Sequence, residues 1–156
     1  RGAPEGVELA KPEDLLRAWG ATFQARKRQQ VDCYAPGDPP EVEAALRKYC
    51  GREKIRYAFA LFSGAARVAP FARYARGFAY VDGDLGAVTE ALAWKPVPSG
   101  PNFTLLVPFD EGVWYGVRKV EGDAVVSDVQ LYLDLVGYKG RGEEAATFIL
   151  EQRLRP

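Results

Sequence analysis

Residues Val126–Leu150, VSDVQLYLDLVGYKGRGEEAATFIL, predict two helices that fold back on each other through a glycine-rich turn. Ser127 is a good N-cap, because its hydroxyl can accept a hydrogen bond from a backbone N–H of the first turn. Glu143 and Glu144 open the second helix, where carboxylates suit the positive end of the helix dipole. The apolar spacing of the first helix places four residues on one face: Val129, Tyr132, Leu133 and Val136.

Polar residues in the same segment are candidates for a cluster that fixes the helical pair. Gln130 and Asp134 are four residues apart and therefore share a helix face. Arg141 lies in the turn, and bidentate Arg–Asp geometry is suited to locking such a turn. We interpret Ser127, Gln130, Asp134 and Arg141 as a structural motif, with contact to a partner or to DNA as the functional alternative.

This segment resembles the C-terminal end of the AbiEi-type antitoxins, the transcription-regulating partners in type IV toxin–antitoxin systems. In that family, a segment like V-x-S-P-V-Q-L-Y-L-D-L is followed by G-R-G-E-E-A-A. The matching residues here are Ser127, Val129–Leu135 and Gly140–Ala146, and Asp128 stands where proline is commoner. Looser likeness in Ile55–Tyr80 and Leu105–Tyr115 extends the resemblance to about 100 of the 156 residues.

The resemblance implies a non-enzymatic, antitoxin-like transcriptional regulator domain that contributes DNA contact, dimerisation or partner binding. Its partners would be DNA, a cognate toxin or a second copy of the chain, without a cofactor. Family members typically carry an N-terminal winged helix-turn-helix, and the sequence contains no such module. We therefore expect residues 1–11 to be a remnant of a preceding segment and residues 12–156 to form a single AbiEi-like C-terminal domain.

Composition and hydrophobic patterning predict a mixed α/β (α+β) domain. The 156 residues are 47% apolar and 12% aromatic, which suffices for one core. We expect a mixed sheet with flanking helices and a C-terminal helical pair, built around strands in Thr22–Tyr34, Ile55–Phe62, Tyr74–Val81 and Asn102–Pro108 and a hairpin in Val113–Val126. No apolar run reaches transmembrane length and the N-terminus lacks a signal-peptide layout, so we expect a cytoplasmic protein.

The absence of histidine restricts the chemistry. The 156 residues contain none, which excludes Ser–His and Cys–His nucleophile pairs. Cys33 and Cys50 alone cannot complete a tetrahedral zinc site. A disulfide between them is one alternative, and two buried reduced thiols are the other, which is favoured in the cytoplasm.

Basic residues are the candidates for nucleic-acid contact. Residues 1–76 hold 14 Lys and Arg against 9 Asp and Glu, whereas residues 77–156 hold 7 against 12. The two halves can attract each other in the folded state, or the basic half can bind phosphate. A charged edge strand, protected against pairing with other chains, is the structural alternative for residues 26–28. The candidate nucleic-acid-binding residues are Arg26, Lys27, Arg28, Arg52, Lys54, Arg56, Arg73 and Arg76.

Two further functions remain as alternatives. Ser63-Gly64 follows a predicted strand and Asp82-Gly83-Asp84 ends the next one, an order that resembles a nucleotidyltransferase core, active with Mg²⁺ or degenerate. Asp110 or Glu111 would supply its third carboxylate, although Asp84 also reads as a helix N-cap. The other alternative is a plain interaction module that binds a partner protein through Trp114, Tyr115 and the acidic half.

Overall fold

The computed structural model describes residues 14–18, 29–69, 73–138 and 140–154. Within these residues, seven strands form one mixed sheet in the order β4-β1-β5-β3-β2-β7-β6. The strands are β1 (Gln30–Tyr34), β2 (Tyr57–Phe59), β3 (Gly77–Val81), β4 (Lys95–Pro96), β5 (Phe103–Leu106), β6 (Arg118–Val120) and β7 (Asp123–Val125).

Helices flank this sheet, and the predicted mixed α/β fold is confirmed. The helices are α1 (Pro39–Glu53), α2 (Leu61–Val68), α3 (Leu85–Leu92), α4 (Asp128–Val136) and α5 (Gly142–Ile149). A 3₁₀ turn spans Glu111–Trp114, and a π-helical turn, Leu150–Leu154, continues α5. Residues 14–18 are also helical.

The strand register defines two ends of the sheet. β2 and β3 are antiparallel with Tyr57 opposite Val81, and β3 and β5 are parallel with Gly77 opposite Phe103. The sheet end at which β2 begins, directly after Arg56, is therefore also the end at which β3 and β5 finish. We call it the Arg56 end. We call the opposite end of the sheet, where β3 begins directly after Arg76, the Arg76 end. β1 begins at the Arg56 end, because Gln30 lies opposite Leu106.

The central strands are buried on both faces. All five residues of β3 are buried, and among the described residues Tyr80, Phe59 and Phe103 are the largest fully buried side chains. Phe78 contacts the ring of Phe62 in α2, and Tyr80 reaches Asp134 in α4, so alternate residues of β3 face the same helical layer. This two-sided burial explains why the strand reads as a continuous apolar run.

Side-chain caps fix two helices where the sequence predicts them. Asp38 forms a capping box with Glu41 at the start of α1, and the prolines of its first turn need no intrahelical partner. Asp84 caps α3 by accepting hydrogen bonds from the backbone N–H groups of Gly86 and Ala87. The predicted hairpin, Val113–Val126, contains β6 and β7 and is preceded by the 3₁₀ turn.

Several strand predictions were too long: those over Tyr74–Val81 and Asn102–Pro108 are observed as Gly77–Val81 and Phe103–Leu106. The strand predicted over Ile55–Phe62 covers only Tyr57–Phe59, and α2 begins at Leu61. Gly64 makes this early start sterically feasible, since a Cβ there would lie 2.9 Å from the carbonyl oxygen of Phe59. The strand predicted over Thr22–Tyr34 is observed from Gln30 onward, and residues 22–28 lie outside the described part of the chain.

The predicted C-terminal helical pair is present. Ser127 caps α4 and accepts a hydrogen bond from Gln130 N at 3.1 Å. The buried residues of α4 include Leu131, Tyr132 and Leu135, whereas three residues of the predicted apolar face are partly buried and pack against the core: Val129, Leu133 and Val136. The reason is that α4 packs against α2 and α5 together, which buries a face rotated from the most apolar one.

Candidate nucleic-acid interface

The sequence-predicted basic residues do not form one site. Arg26, Lys27 and Arg28 lie outside the described residues. Arg52 and Lys54 lie at the C-terminal end of α1, and Arg56 follows them at the Arg56 end of the sheet. Arg73 and Arg76 precede β3 at the other end. The two ends are four residues apart along β3, which is roughly 13 Å.

Arg56 is held by two carboxylates. Its Nη2 lies 2.8 Å from Asp82 Oδ2 and 3.1 Å from Glu111 Oε2, and its guanidinium sits 4.5 Å from the centre of the Trp114 ring. The hydrogen bonds to Asp82 and Glu111 raise the pKa of the Arg56 guanidinium. Its positive charge is therefore balanced within the fold, and these contacts favour a role in joining β2, the end of β3 and the 3₁₀ turn.

Arg76 is similarly engaged at its own end of the sheet. Its Nη2 lies 2.9 Å from Asp32 Oδ1 and 2.7 Å from Thr104 Oγ1, so one guanidinium links β3, β5 and β1. The Cζ atom of the Arg76 guanidinium lies 5.1 Å from the centre of the Phe78 ring. Arg73 is exposed, with no ion pair to another residue that the structure describes.

The outward face of α1 carries further cations. At 3.6 residues per turn, Lys48 lies at the centre of this face, with Arg52 on one flank and Arg47 on the other, and Lys54 is the left-handed C-cap residue that follows the helix. We call Lys48, Arg52 and Lys54 the α1 basic surface. Sequence reasoning had not identified Lys48, although its spacing of four residues from Arg52 was the signal that could have found it.

The α1 basic surface is exposed and weakly paired. Lys48 and Lys54 form no ion pair with any other described residue. The side chain of Arg52 is 67% exposed, with its Nε 3.3 Å from Glu53 Oε2 and its guanidinium 5.4 Å from the centre of the Tyr49 ring. A Cβ placed on Gly51 would meet nothing within 4 Å, so the backbone between Lys48 and Arg52 is open to close approach.

Behind this surface lies a buried charge network that sequence reasoning missed. Arg67 of α2 donates to Glu43 Oε1 of α1 at 3.0 Å and to Asp123 Oδ2 of β7 at 3.0 Å. Its guanidinium also lies 4.2 Å from the centre of the Phe59 ring. Arg47 donates to the other oxygen of Asp123, also at 3.0 Å. The network thus joins α1, α2 and the β6–β7 hairpin, and Arg47 is its outermost member.

Both carboxylate oxygens of Glu43 accept hydrogen bonds. Besides Arg67, its carboxylate accepts hydrogen bonds from Ser63 Oγ at 2.6 Å and from the Tyr74 hydroxyl at 2.8 Å. Burial and the neighbouring Glu43 charge raise the pKa of Tyr74 to about 12. Burial acts to lower the pKa of Arg67, but Glu43 and Asp123 outweigh it and the net shift is upward. Ion pairing therefore outweighs the effect of burial on the Arg67 guanidinium.

Comparison with known families gives a match over nearly the whole chain. Residues 8–155 match the family described as transcriptional regulator, AbiEi antitoxin, type IV toxin–antitoxin system. The chain belongs to the AbiEi antitoxin family. Comparisons with curated proteins and with solved structures give no significant match. In the described part of this AbiEi-family chain, no helix has the length and apolar character needed to cross a membrane.

The C-terminal motif that carries the AbiEi resemblance makes internal contacts. Gln130 Nε2 donates to Asp134 Oδ1 at 3.1 Å, and the Tyr80 hydroxyl donates to Asp134 Oδ2 at 2.8 Å. Arg141 is mostly exposed, with its Nη2 3.8 Å from Glu144 Oε1. Asp128, at the position where proline is commoner, pairs with Arg118 at 2.7 Å and with Arg153 at 3.4 Å. The motif therefore ties α4 to the sheet, to β6 and to the chain after α5.

The carboxylates considered for nucleotidyl transfer have structural roles in this AbiEi-family fold. β3 ends at Val81, so Asp82 and Asp84 lie in the following loop and not on the strand, as a metal-binding pair would require. Asp82 pairs with Arg56, and Asp84 caps α3. Asp110 caps the 3₁₀ turn through Gly112 N at 2.8 Å. Among the described residues, no three His, Cys, Asp or Glu side chains are grouped to hold a metal ion.

The remaining candidates divide between core and surface. Cys33 and Cys50 are buried and free, so the disulfide alternative is wrong. Trp94 is buried. Tyr115, in contrast, is 76% exposed, although core or core-rim placement was expected. It borders a cavity of about 350 Å³ between the 3₁₀ turn and α4, lined also by Val113, Val129 and Leu133.

Proposed function

We propose that this AbiEi-family chain acts as a transcriptional regulator domain that contacts DNA phosphates through the α1 basic surface. The observation that carries the proposal is the placement of Lys48 and Arg52 on one exposed face of α1, with the exposed Lys54 at its C-cap, all three without strong carboxylate partners. Arg56 and Arg76, in contrast, are occupied by internal carboxylates. Phosphate contact by Lys and Arg supplies affinity and orientation but does not read sequence.

The basic run at residues 26–28 is included in the proposed contact. It directly precedes Gln29, whose carbonyl oxygen accepts a hydrogen bond from Val107 N at 3.0 Å beyond the end of β5. Gln29 therefore lies at the Arg56 end of the sheet, toward which the C-terminal end of α1 also leads.

The test is the salt dependence of binding to fluorescein-labelled double-stranded DNA, followed by anisotropy. The three phosphate contacts of the α1 basic surface contribute about −2.7 to the slope of log K against log salt, which corresponds to a fall in affinity of roughly 40-fold between 50 and 200 mM salt. The variant Lys48→Gln/Arg52→Gln/Lys54→Gln should lose this part of the slope. The control, Lys95→Gln/Lys119→Gln, removes exposed positive charge elsewhere and should retain it. An unchanged slope in the first variant would contradict the proposal.

Dimerisation and contact with a cognate toxin stay predictions from the family. Among the described residues, the surface most compatible with them is the exposed Tyr115 ring beside the 350 Å³ cavity. Aromatic side chains with an apolar body and a polar tip are favoured at protein interfaces. A photo-crosslinking residue at position 115 would identify a protein that contacts this surface.

A further inference from the structure

We infer that Asp123 withholds Arg47 from the α1 basic surface and thereby limits the affinity of that surface for phosphate. The inference rests on the proposed DNA contact. Asp123 would act as an internal substitute for a phosphate group, because a carboxylate offers the guanidinium the same acceptor oxygens and a negative charge.

Arg47 lies where the buried network meets the surface. It flanks Lys48 on α1, and its Nη1 donates to Asp123 Oδ1 at 3.0 Å. The side chain of Arg47 is 39% exposed, whereas that of Asp123 is 12% exposed. The Arg47 side chain is therefore more accessible to solvent than that of its carboxylate partner.

Arg67 makes Arg47 the exchangeable partner of this carboxylate. Arg67 is only 17% exposed, and its Nε holds the second oxygen of Asp123 at 3.0 Å. Glu43 and the Phe59 ring fix the position of Arg67. If Arg47 moves to a phosphate, Asp123 keeps one buried cationic partner, so the movement does not leave an unpaired buried charge, which would be costly.

Release of Arg47 would also change what holds the C-terminal segment. The Arg47–Asp123 pair links α1 to the first residue of β7. Val126 follows β7, and its N–H bonds to Phe59 O immediately before the Ser127 cap of α4. A phosphate bound at α1 and the Asp123 carboxylate of the hairpin therefore compete for the Arg47 guanidinium. Phosphate binding weakens the Arg47–Asp123 pair, and this pair weakens phosphate binding by the same factor.

The experiment compares Asp123→Asn with Glu121→Gln in the anisotropy assay. Glu121→Gln removes an exposed carboxylate from the same hairpin and controls for the general loss of negative charge. Asp123→Asn should make the salt slope steeper by about 0.9, because one more cation becomes available to phosphate. Adding Arg47→Gln to Asp123→Asn should abolish this increase, since Arg47 is the cation that is released.

A second variant tests the inference if Asp123→Asn does not fold. Because Arg47 is already occupied, Arg47→Gln alone should leave the slope of the wild-type chain unchanged, whereas Arg52→Gln should reduce it by about 0.9. Equal losses in these two variants, or equal slopes for Asp123→Asn and Glu121→Gln, would overturn the inference while leaving the DNA contact intact. No salt-dependent binding by the wild-type chain would overturn both.

Discussion

At the scale of single residues, burial determines which reactive groups are usable. The chain has two cysteines, and both thiols lie in the core with no exposed surface. Burial raises the pKa of Cys50 from 9.0 to about 11. Burial, with a smaller contribution from the Asp32 charge, does the same for Cys33. A thiol must ionise to react, so both cysteines are chemically inert in the folded protein.

The buried thiols predict a loss of stability in alkaline solution. Their pKa is higher in the folded than in the unfolded chain, so their contribution is complete below pH 9 and is lost as the pH rises toward 11. Each contributes at most roughly 3 kcal/mol, from two pKa units. Urea unfolding at several pH values between these limits should show a falling free energy of unfolding.

The matched variant is Cys33→Ala/Cys50→Ala, which removes both thiols. Its free energy of unfolding should depend less steeply on pH than that of the wild type, even if its absolute stability is lower. Tyr74, whose pKa is raised from 10.0 to about 12 by burial and Glu43, lowers stability only above about pH 10, so the fall between pH 9 and 10 reports on the thiols. Identical pH profiles for the two proteins would show that the thiols do not carry the effect.

At the scale of elements, caps could be predicted and boundaries could not. Asp38, Asp84 and Ser127 are local signals, since each bonds to a backbone N–H within three residues. The start of α2 is not local: it depends on how closely the helix can approach Phe59 and Leu131. The buried face of α4 likewise depends on two neighbouring helices, which its own periodicity does not specify.

Two glycines test this dependence on neighbouring elements. A Cβ at Gly64 would lie 2.7 Å from Leu131 Cδ2 and 2.9 Å from Phe59 O, so Gly64→Ala should push α2 from β2 and α4. We expect a loss of about 1–3 kcal/mol in the free energy of unfolding. Gly51→Ala, in open space on α1, should instead gain about 0.5–1 kcal/mol because alanine restricts the unfolded chain.

Urea unfolding of the two variants side by side measures both effects. The comparison is matched, because the same methyl group is added to a helix in each case. Stabilisation by Gly64→Ala would mean that α2 does not need the close approach to β2, and the explanation given for its early start would then fail.

At the scale of the whole molecule, the opposite charges of the two halves are partly used to hold the fold together. Arg47, Arg56 and Arg67 of the basic half pair with Asp82, Glu111 and Asp123 of the acidic half. The charge asymmetry was therefore a correct signal of attraction between the halves. It could not identify the partners, because Arg67 and Asp123 are 56 positions apart in the chain and meet only in the folded structure.

The same limit applies to the candidate interface. A list of basic residues predicted eight contacts, yet the fold separates the five described ones between two ends of the sheet and occupies Arg56 and Arg76 with carboxylates. Lys48 became a candidate only once the bounds of α1 and the absence of a partner among the described residues were known. Basic composition indicates phosphate contact, and the positions of the carboxylates decide which cations can make it.

The ion pairs between the halves should differ in strength according to burial. Arg67 and Asp123 are 17% and 12% exposed, whereas Arg56 and Asp82 are 46% and 52% exposed. A double-mutant cycle with Arg67→Met and Asp123→Asn should give a coupling free energy of about 1–3 kcal/mol. The corresponding cycle with Arg56→Met and Asp82→Asn should give a smaller coupling free energy, because solvent screens that pair. Urea unfolding measures both coupling free energies. A coupling at Arg56–Asp82 as large as that at Arg67–Asp123 would contradict the prediction that burial determines the strength of these ion pairs.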